Sequence, residues 1–237
     1  MISSLDNKLV KDLVRLHQKK YREDSFLLFD YNQILLANSS GYLKTLLYVS
    51  NPPFDFSNSI EVSQAVMNKI SKRDDLTCIG VSCLIEEKCE YSDRIVILDH
   101  VQDPLNIGRI MEVCRLFNYQ DLILSQGCAD IYNEKCLSNC KDGIFKLNIS
   151  YKNIIDEIDI LKQKGYIVCA TGLQDNTKDM HDIKSNKKMA FILGNEGSGV
   201  DKQIMKKADY TIKIDMHNID SLNVAMASAI LLHHFSK

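Results

Sequence analysis

The chain has no C-x-x-C pair, no apolar run of membrane-spanning length, and no internal repeat or low-complexity tract. It also has almost no net charge, a formal −2 over 237 residues. Each absence excludes something. Eight cysteines scattered singly, with no leader-like start, read as reduced thiols rather than a disulfide framework. Without about 20 consecutive apolar residues no membrane span is expected. With no secretory-type start, a cytoplasmic protein is expected. A near-neutral chain carries no global footprint for nucleic acid, so such a function needs a local patch. A metal centre is not expected either. Cys136 and Cys140 could share a helix face but lack further ligands nearby, and the adjacent His233 and His234 would point roughly 100° apart on a helix.

One local patch is present. The first 22 residues hold Lys8, Lys11, Arg15, Lys19, Lys20 and Arg22 against only Asp6 and Asp12. Taken alone, such a run reads as a solvated helix face.

The hydrophobic pattern predicts an α/β protein in two parts. Leu5, Leu9, Leu13 and Leu16 follow helical spacing, while FLLF (26–29), TLLYV (45–49) and CIGVSC (78–83) read as short buried strands. A Pro-Pro turn at Pro52 and Pro53 and a helix over 61–71 complete a small α/β domain, residues 1–85. The charged stretch 86–93 is expected to be a linker. Residues 94–237 then carry apolar strands near 94–98, 121–124, 166–170, 189–193 and 209–214, with helical patterns separating most of them. That alternation predicts a mostly parallel sheet covered on both faces.

Three stretches concentrate polar chemistry. DPLNIGRIMEVCR (103–115) reads as a turn leading into a helix on which Arg109, Glu112 and Arg115 fall at i, i+3 and i+6. LGNEGSG (193–199) ends a strand with three glycines in six positions, letting the backbone approach a ligand. It lacks the Lys-Ser/Thr pair of a phosphate loop and is not G-x-G-x-x-G, so no nucleotide phosphate, nicotinamide or flavin is indicated. IDM (214–216), followed by SLNVAMASAILL (221–232), ends a strand, places Ser221 as a helix cap, and buries Asn223 one turn into a helix of small and apolar residues. His100, just before the first stretch, is a lone histidine of the kind most often structural.

In this order and spacing, DPLNIG, LGNEGSGV and IDM…SLNVAMASAILL resemble the three motifs of the SpoU (TrmH-type) branch of the SPOUT methyltransferases. The beginning, MISSLDNKLVKDLVRLHQKKYRE, resembles the small ribosomal-protein-like substrate-binding domain of the family's ribosomal RNA members, although Phe29-Asp30 stand where relatives carry Glu-Gly. The resemblance implies a trefoil-knotted α/β domain with a parallel sheet, working as a homodimer. It implies S-adenosylmethionine bound by Thr171, Gly172 and Leu173, by Leu193, Gly194, Asn195, Glu196, Gly197 and Gly199, by Ile214 and Met216, and by Ser221 and Leu222. It implies methyl transfer to a ribose 2′-hydroxyl of RNA, ribosomal rather than transfer, contacted by Lys11, Arg15, Lys19, Lys20 and Arg22.

A ribose hydroxyl is a poor nucleophile, so a base must take its proton, and guanidinium groups suit the RNA backbone. Resembling positions supply Asn106, Glu196, Ser221 and Asn223. The arginine that relatives carry six residues after the turn asparagine is here Glu112. Three readings stay open. Glu112 is itself the base while Arg109 or Arg115 holds phosphate; or those arginines neutralise it in a catalytically impaired paralogue that still binds RNA or cofactor; or the arginine is dispensable. SNCKDG (138–143) departs as well, since relatives often carry Arg-Ala-Ser-Met-Gly there.

Overall fold

The computed structural model describes residues 1–173, 177–216 and 221–236. The chain divides into two compact units, one of 1–85 with 132–138, the other of 86–131 with 139–237.

The first unit contains α1 (Lys8–Arg15), β1 (Ser25–Leu28), α2 (Tyr31–Ser39), β2 (Leu43–Tyr48), β3 (Ser59–Glu61), α3 (Gln64–Ser71) and β4 (Cys78–Cys83). Its sheet runs β1-β4-β2-β3, antiparallel except for the parallel β2–β3 pair. The N-terminal helix is shorter than its leucine spacing suggests. Asn7 caps it by accepting from the Leu9 amide, and only Val10 and Leu13 are buried on it. Those two join Leu27, Leu47, Val66, Ile70 and Ile79 in one core. Helix α2 had no clear apolar period; Asp30 caps it through the Gln33 amide at 3.0 Å. The helix predicted over 61–71 begins later, behind a Ser63 cap, because residues 59–61 pair with β2 instead.

The second unit contains β5 (Arg94–Leu98), α4 (Pro104–Leu116) and β6 (Asp121–Leu124). After them come α5 (Glu134–Leu137, grouped with the first unit), α6 (Gly143–Lys146), β7 (Asn148–Tyr151), α7 (Ile154–Gln163) and β8 (Ile167–Thr171). Then follow β9 (Lys178–Asp179), β10 (Met189–Leu193), α8 (Lys202–Lys207), β11 (Tyr210–Lys213) and α9 (Val224–Phe235). Its sheet is parallel throughout, in the order β7-β6-β5-β10-β8-β11-β9. Strands β6 and β10 are buried on both faces, which explains the apolar runs at 122–124 and 189–193. Ile95, Ile97, Ala190 and Ile192 pack with Ile158, Leu161 and Ile204 of α7 and α8. Phe191, one residue out of phase, meets Tyr119 and Phe235, with ring centroids 6.0 and 4.9 Å away. A fully buried aromatic of this kind contributes about 1.5–3 kcal/mol.

The stretch 86–93, expected as a linker, groups with the second unit, and hydrogen bonds account for this. Asp121, 2% exposed, accepts from the Ser92 amide at 2.7 Å and the Asn148 side-chain amide at 2.6 Å. Asn148 accepts from the Lys88 amide at 2.7 Å, and the Tyr166 hydroxyl donates to the Ser92 carbonyl at 2.7 Å. Asp121→Ala strands two donors inside the fold and is expected to cost about 1–3 kcal/mol, measured by urea unfolding, because buried unpaired groups keep their full desolvation penalty.

Candidate active site

The carboxyl ends of β8, β10 and β11 open into a cavity of about 230 Å³. Chains in a parallel sheet leave ligand room at this edge, where connections depart in opposite directions. Every residue assigned above to the cofactor site lines this cavity. Ser198 of the same glycine-rich loop lines it too, and so do Val200, Ile212, Val224 and Ala227, which were not singled out. Period-2 spacing would have found Ile212 from Ile214, and one helical turn would have found Ala227 from Asn223. The loop expected between Met216 and Ser221 lies outside the described residues.

The glycine-rich loop is held by one side chain. Asn195 Oδ1 accepts from the amides of Gly197 and Ser198 at 2.8 and 3.1 Å, while its Nδ2 donates to the His100 carbonyl at 2.8 Å. The Asn195 and Gly199 backbones exchange two hydrogen bonds, closing a tight ring. Gly199 takes φ 71°, and a Cβ on Gly194 would lie 2.2 Å from the Gly199 carbonyl carbon. Gly194 is therefore the sterically constrained glycine. A Cβ on Gly197 would meet only Asn195 Oδ1, at 3.5 Å.

Three distant stretches meet at Asn106, which is 3% exposed. Its Nδ2 donates to Glu196 Oε1 at 2.8 Å, and its Oδ1 accepts from Asn223 Nδ2 at 3.0 Å. Asp103 caps α4 through the Leu105 amide, with Pro104 in the first turn, which sets Asn106 at the helix start. The C-terminal helix is capped by Asn223, not Ser221: Asn223 Oδ1 accepts from the Ala225 and Met226 amides at 2.9 and 3.4 Å. Ser221 instead lines the cavity.

Arg109, Glu112 and Arg115 do not join this network. Arg109 is exposed and Glu112 half-buried, and among the described residues neither makes an ion pair. Arg115 pairs with Asp142 through both its Nε and Nη2, the latter at 3.2 Å. Asp142 belongs to SNCKDG, so one departure from the family pattern supplies the partner for an arginine beside the other.

In the first unit Lys11 pairs with Asp6 at 3.0 Å and Arg15 with Asp12 at 3.4 Å. Arg15 and Lys20 lie over the Tyr21 ring, 5.7 and 4.8 Å from its centroid. Lys19 is exposed on the same turn, and Arg22 is half-buried with Nη2 3.5 Å from the His17 carbonyl. Among the described residues no cluster of three His, Cys, Asp or Glu is placed to hold a metal. Burial pushes the Cys169 thiol up to about 12 and raises Cys114 as well, so neither offers a thiolate nucleophile.

The sequence matches the SpoU rRNA Methylase family over residues 93–233. It is 30% identical to the 23S rRNA (guanosine(2553)-2′-O)-methyltransferase RlmP of Bacillus subtilis, across 98% of each chain. The fold superposes on an AdoMet-bound rRNA methyltransferase from Sinorhizobium meliloti with a TM-score of 0.87 at 25% identity, covering 99% of this chain and 96% of that one. The SpoU methyltransferase AviRb from Streptomyces viridochromogenes shares the fold at 19% identity, with a TM-score of 0.85 and 97% coverage of each chain.

Asn223→Ala removes a helix cap and a partner of buried Asn106 together. It is expected to lower stability by about 1–2 kcal/mol in thermal unfolding, with Asn223→Asp recovering the cap share.

Proposed function

Because the chain belongs to the SpoU rRNA methylase family, we propose that it transfers the methyl group of S-adenosylmethionine to a ribose 2′-hydroxyl of ribosomal RNA. The observation that carries this reading is the Asn223–Asn106–Glu196 relay, ending on a residue that lines the cavity. The cavity suits the cofactor. Leu193, Ile212, Ile214 and Val224 offer apolar walls for an adenine ring, and the 194–199 backbone offers polar groups at close range. When bound, the cofactor supplies an electrophilic sulfonium methyl.

The protein's part is to place the hydroxyl and receive its proton. Glu196 is exposed at the cavity, with Oε1 engaged by Asn106 and so held in one orientation. It is the carboxylate we assign to the hydroxyl, and Ser221 lines the same cavity. Glu112 lines no part of the cavity, and its replacement of arginine leaves the relay complete. An active enzyme is therefore favoured over an impaired paralogue.

The remaining assignments belong to the same reading. Residues 1–85 bind RNA through Lys11, Arg15, Lys19, Lys20 and Arg22, four of them exposed. The C-terminal segment forms the knot, supported by the return of Ile212–Met216 and Ser221–Ala227 to the wall that Leu193–Val200 begins. A homodimer forms through α4 and α9, which pack together and expose Leu116, Met226 and Ile230. The protein works in the cytoplasm, beside its RNA; no helix among the described residues is long and apolar enough to cross a membrane.

Methyl transfer from labelled cofactor to ribosomal RNA tests the reaction. Glu196→Gln is expected to lower kcat by about 10²–10⁴-fold, the usual span for losing a positioned base, while Glu112→Gln stays near wild type. The opposite ranking would move the base to Glu112. Gly194→Ala is expected to weaken cofactor binding by at least about tenfold in calorimetry, since a Cβ there forces the loop backbone apart.

A further inference from the structure

His100 lies at the carboxyl end of β5, at the sheet edge where the cavity opens, yet it takes no part in the relay. Its backbone is left-handed, with φ 53°. For a residue with a Cβ this costs about 1–2 kcal/mol. Such strain persists where surrounding contacts over-determine it, and it clusters at functional sites.

The contacts here account for every part of the residue but one. The amide donates to Ser125 Oγ at 2.9 Å and the carbonyl accepts from Asn195 Nδ2. Ring atom Nδ1 lies 2.6 Å from Oδ1 of Asp99, a carboxylate 1% exposed whose Oδ2 accepts from the Asp201 amide. The ring packs on Gly127, where a Cβ would come within 2.1 Å of Cδ2. The imidazole is thus fixed in orientation, but its side chain stays 58% exposed, and Nε2 has no partner among the described residues.

With Nδ1–H directed at the carboxylate, a neutral ring presents Nε2 as an acceptor. An acceptor cannot pair with a phosphate oxygen, whereas a ribose 2′-hydroxyl can donate to it, and that hydroxyl is what separates RNA from DNA. We infer that His100 is a specificity residue that accepts a hydrogen bond from a ribose 2′-hydroxyl of the bound RNA, next to the nucleotide being methylated. The inference rests on the RNA methyltransferase reading above. Asp99 is its positioning residue, and Asn195 ties the backbone of His100 to the cofactor loop.

The test separates the ring's two nitrogens. In His100→Asn the amide nitrogen can occupy the place of Nδ1, keeping the Asp99 contact and tolerating a left-handed backbone, while Nε2 is lost. In His100→Gln the outer amide stands where Nε2 was. Binding is measured for a large-subunit ribosomal RNA transcript that the wild type methylates, and for single-stranded DNA of the same sequence. His100→Asn is expected to lower the preference for RNA over DNA about tenfold, the scale of one lost hydrogen bond to a positioned group. His100→Gln recovers part of that preference, and cofactor affinity stays unchanged in both. An RNA preference equal to wild type in His100→Asn overturns the inference, as does a parallel loss of cofactor affinity, which would make the ring purely structural. A wild type that methylates no ribosomal RNA would instead remove the reading beneath it.

Discussion

A single buried amide carries the tertiary logic of the site. Asn106 has almost no access to water, and a buried side-chain amide without partners costs a few kcal/mol. It escapes that cost only if Glu196 and Asn223 both stand within hydrogen-bond reach, which is where they are. The requirement fixes the start of α4, the tip of the loop after β10 and the start of α9 relative to one another. The same Asn223 also caps α9, so docking the helix and completing the polar relay are one event. Phe191, Tyr119 and Phe235 supply the apolar counterpart by seating α4's end and α9 on the sheet.

The first motif looks unusual because a carboxylate stands where relatives keep an arginine. In the folded chain this does not create a neutralised triad. Arg115 turns to Asp142, Arg109 faces solvent, and Glu112 pairs with neither. Gly143 lets α6 come close to α4, since a Cβ there would lie 3.1 Å from Met111 Cβ. That proximity brings Asp142 of one departing segment to Arg115, one helical turn from the other departure at Glu112. A surface ion pair of this exposure contributes no more than about 1 kcal/mol, so its effect is on side-chain orientation rather than stability.

Strands β5, β6, β8 and β10 of the parallel sheet were legible because each is largely apolar and mostly buried on both faces, whereas β11 buries only Ile212. The short edge pieces β3, β7 and β9 were not, since too few residues repeat to show a period. Most of the cavity lining followed from the resemblance of the three motifs to the family, and the glycines, which mark close backbone approach, agree with it. The cap of α9 was misplaced onto Ser221, two residues early, because Ser and Asn are equally good caps and only the bond to Asn106 favours the second.

By itself the sequence determined the α/β class, written in local pattern, and through its three motifs the family and most of the residues that line the cavity. Tertiary structure alone decided which polar groups face each other: Asn106 with Glu196 and Asn223, Arg115 with Asp142, and Asp99 with His100 and Asp201. The physical reason is range. Periodicity and caps are fixed within a few residues, whereas most of these bonds join residues dozens of positions apart and form only when the sheet brings its loops to one edge.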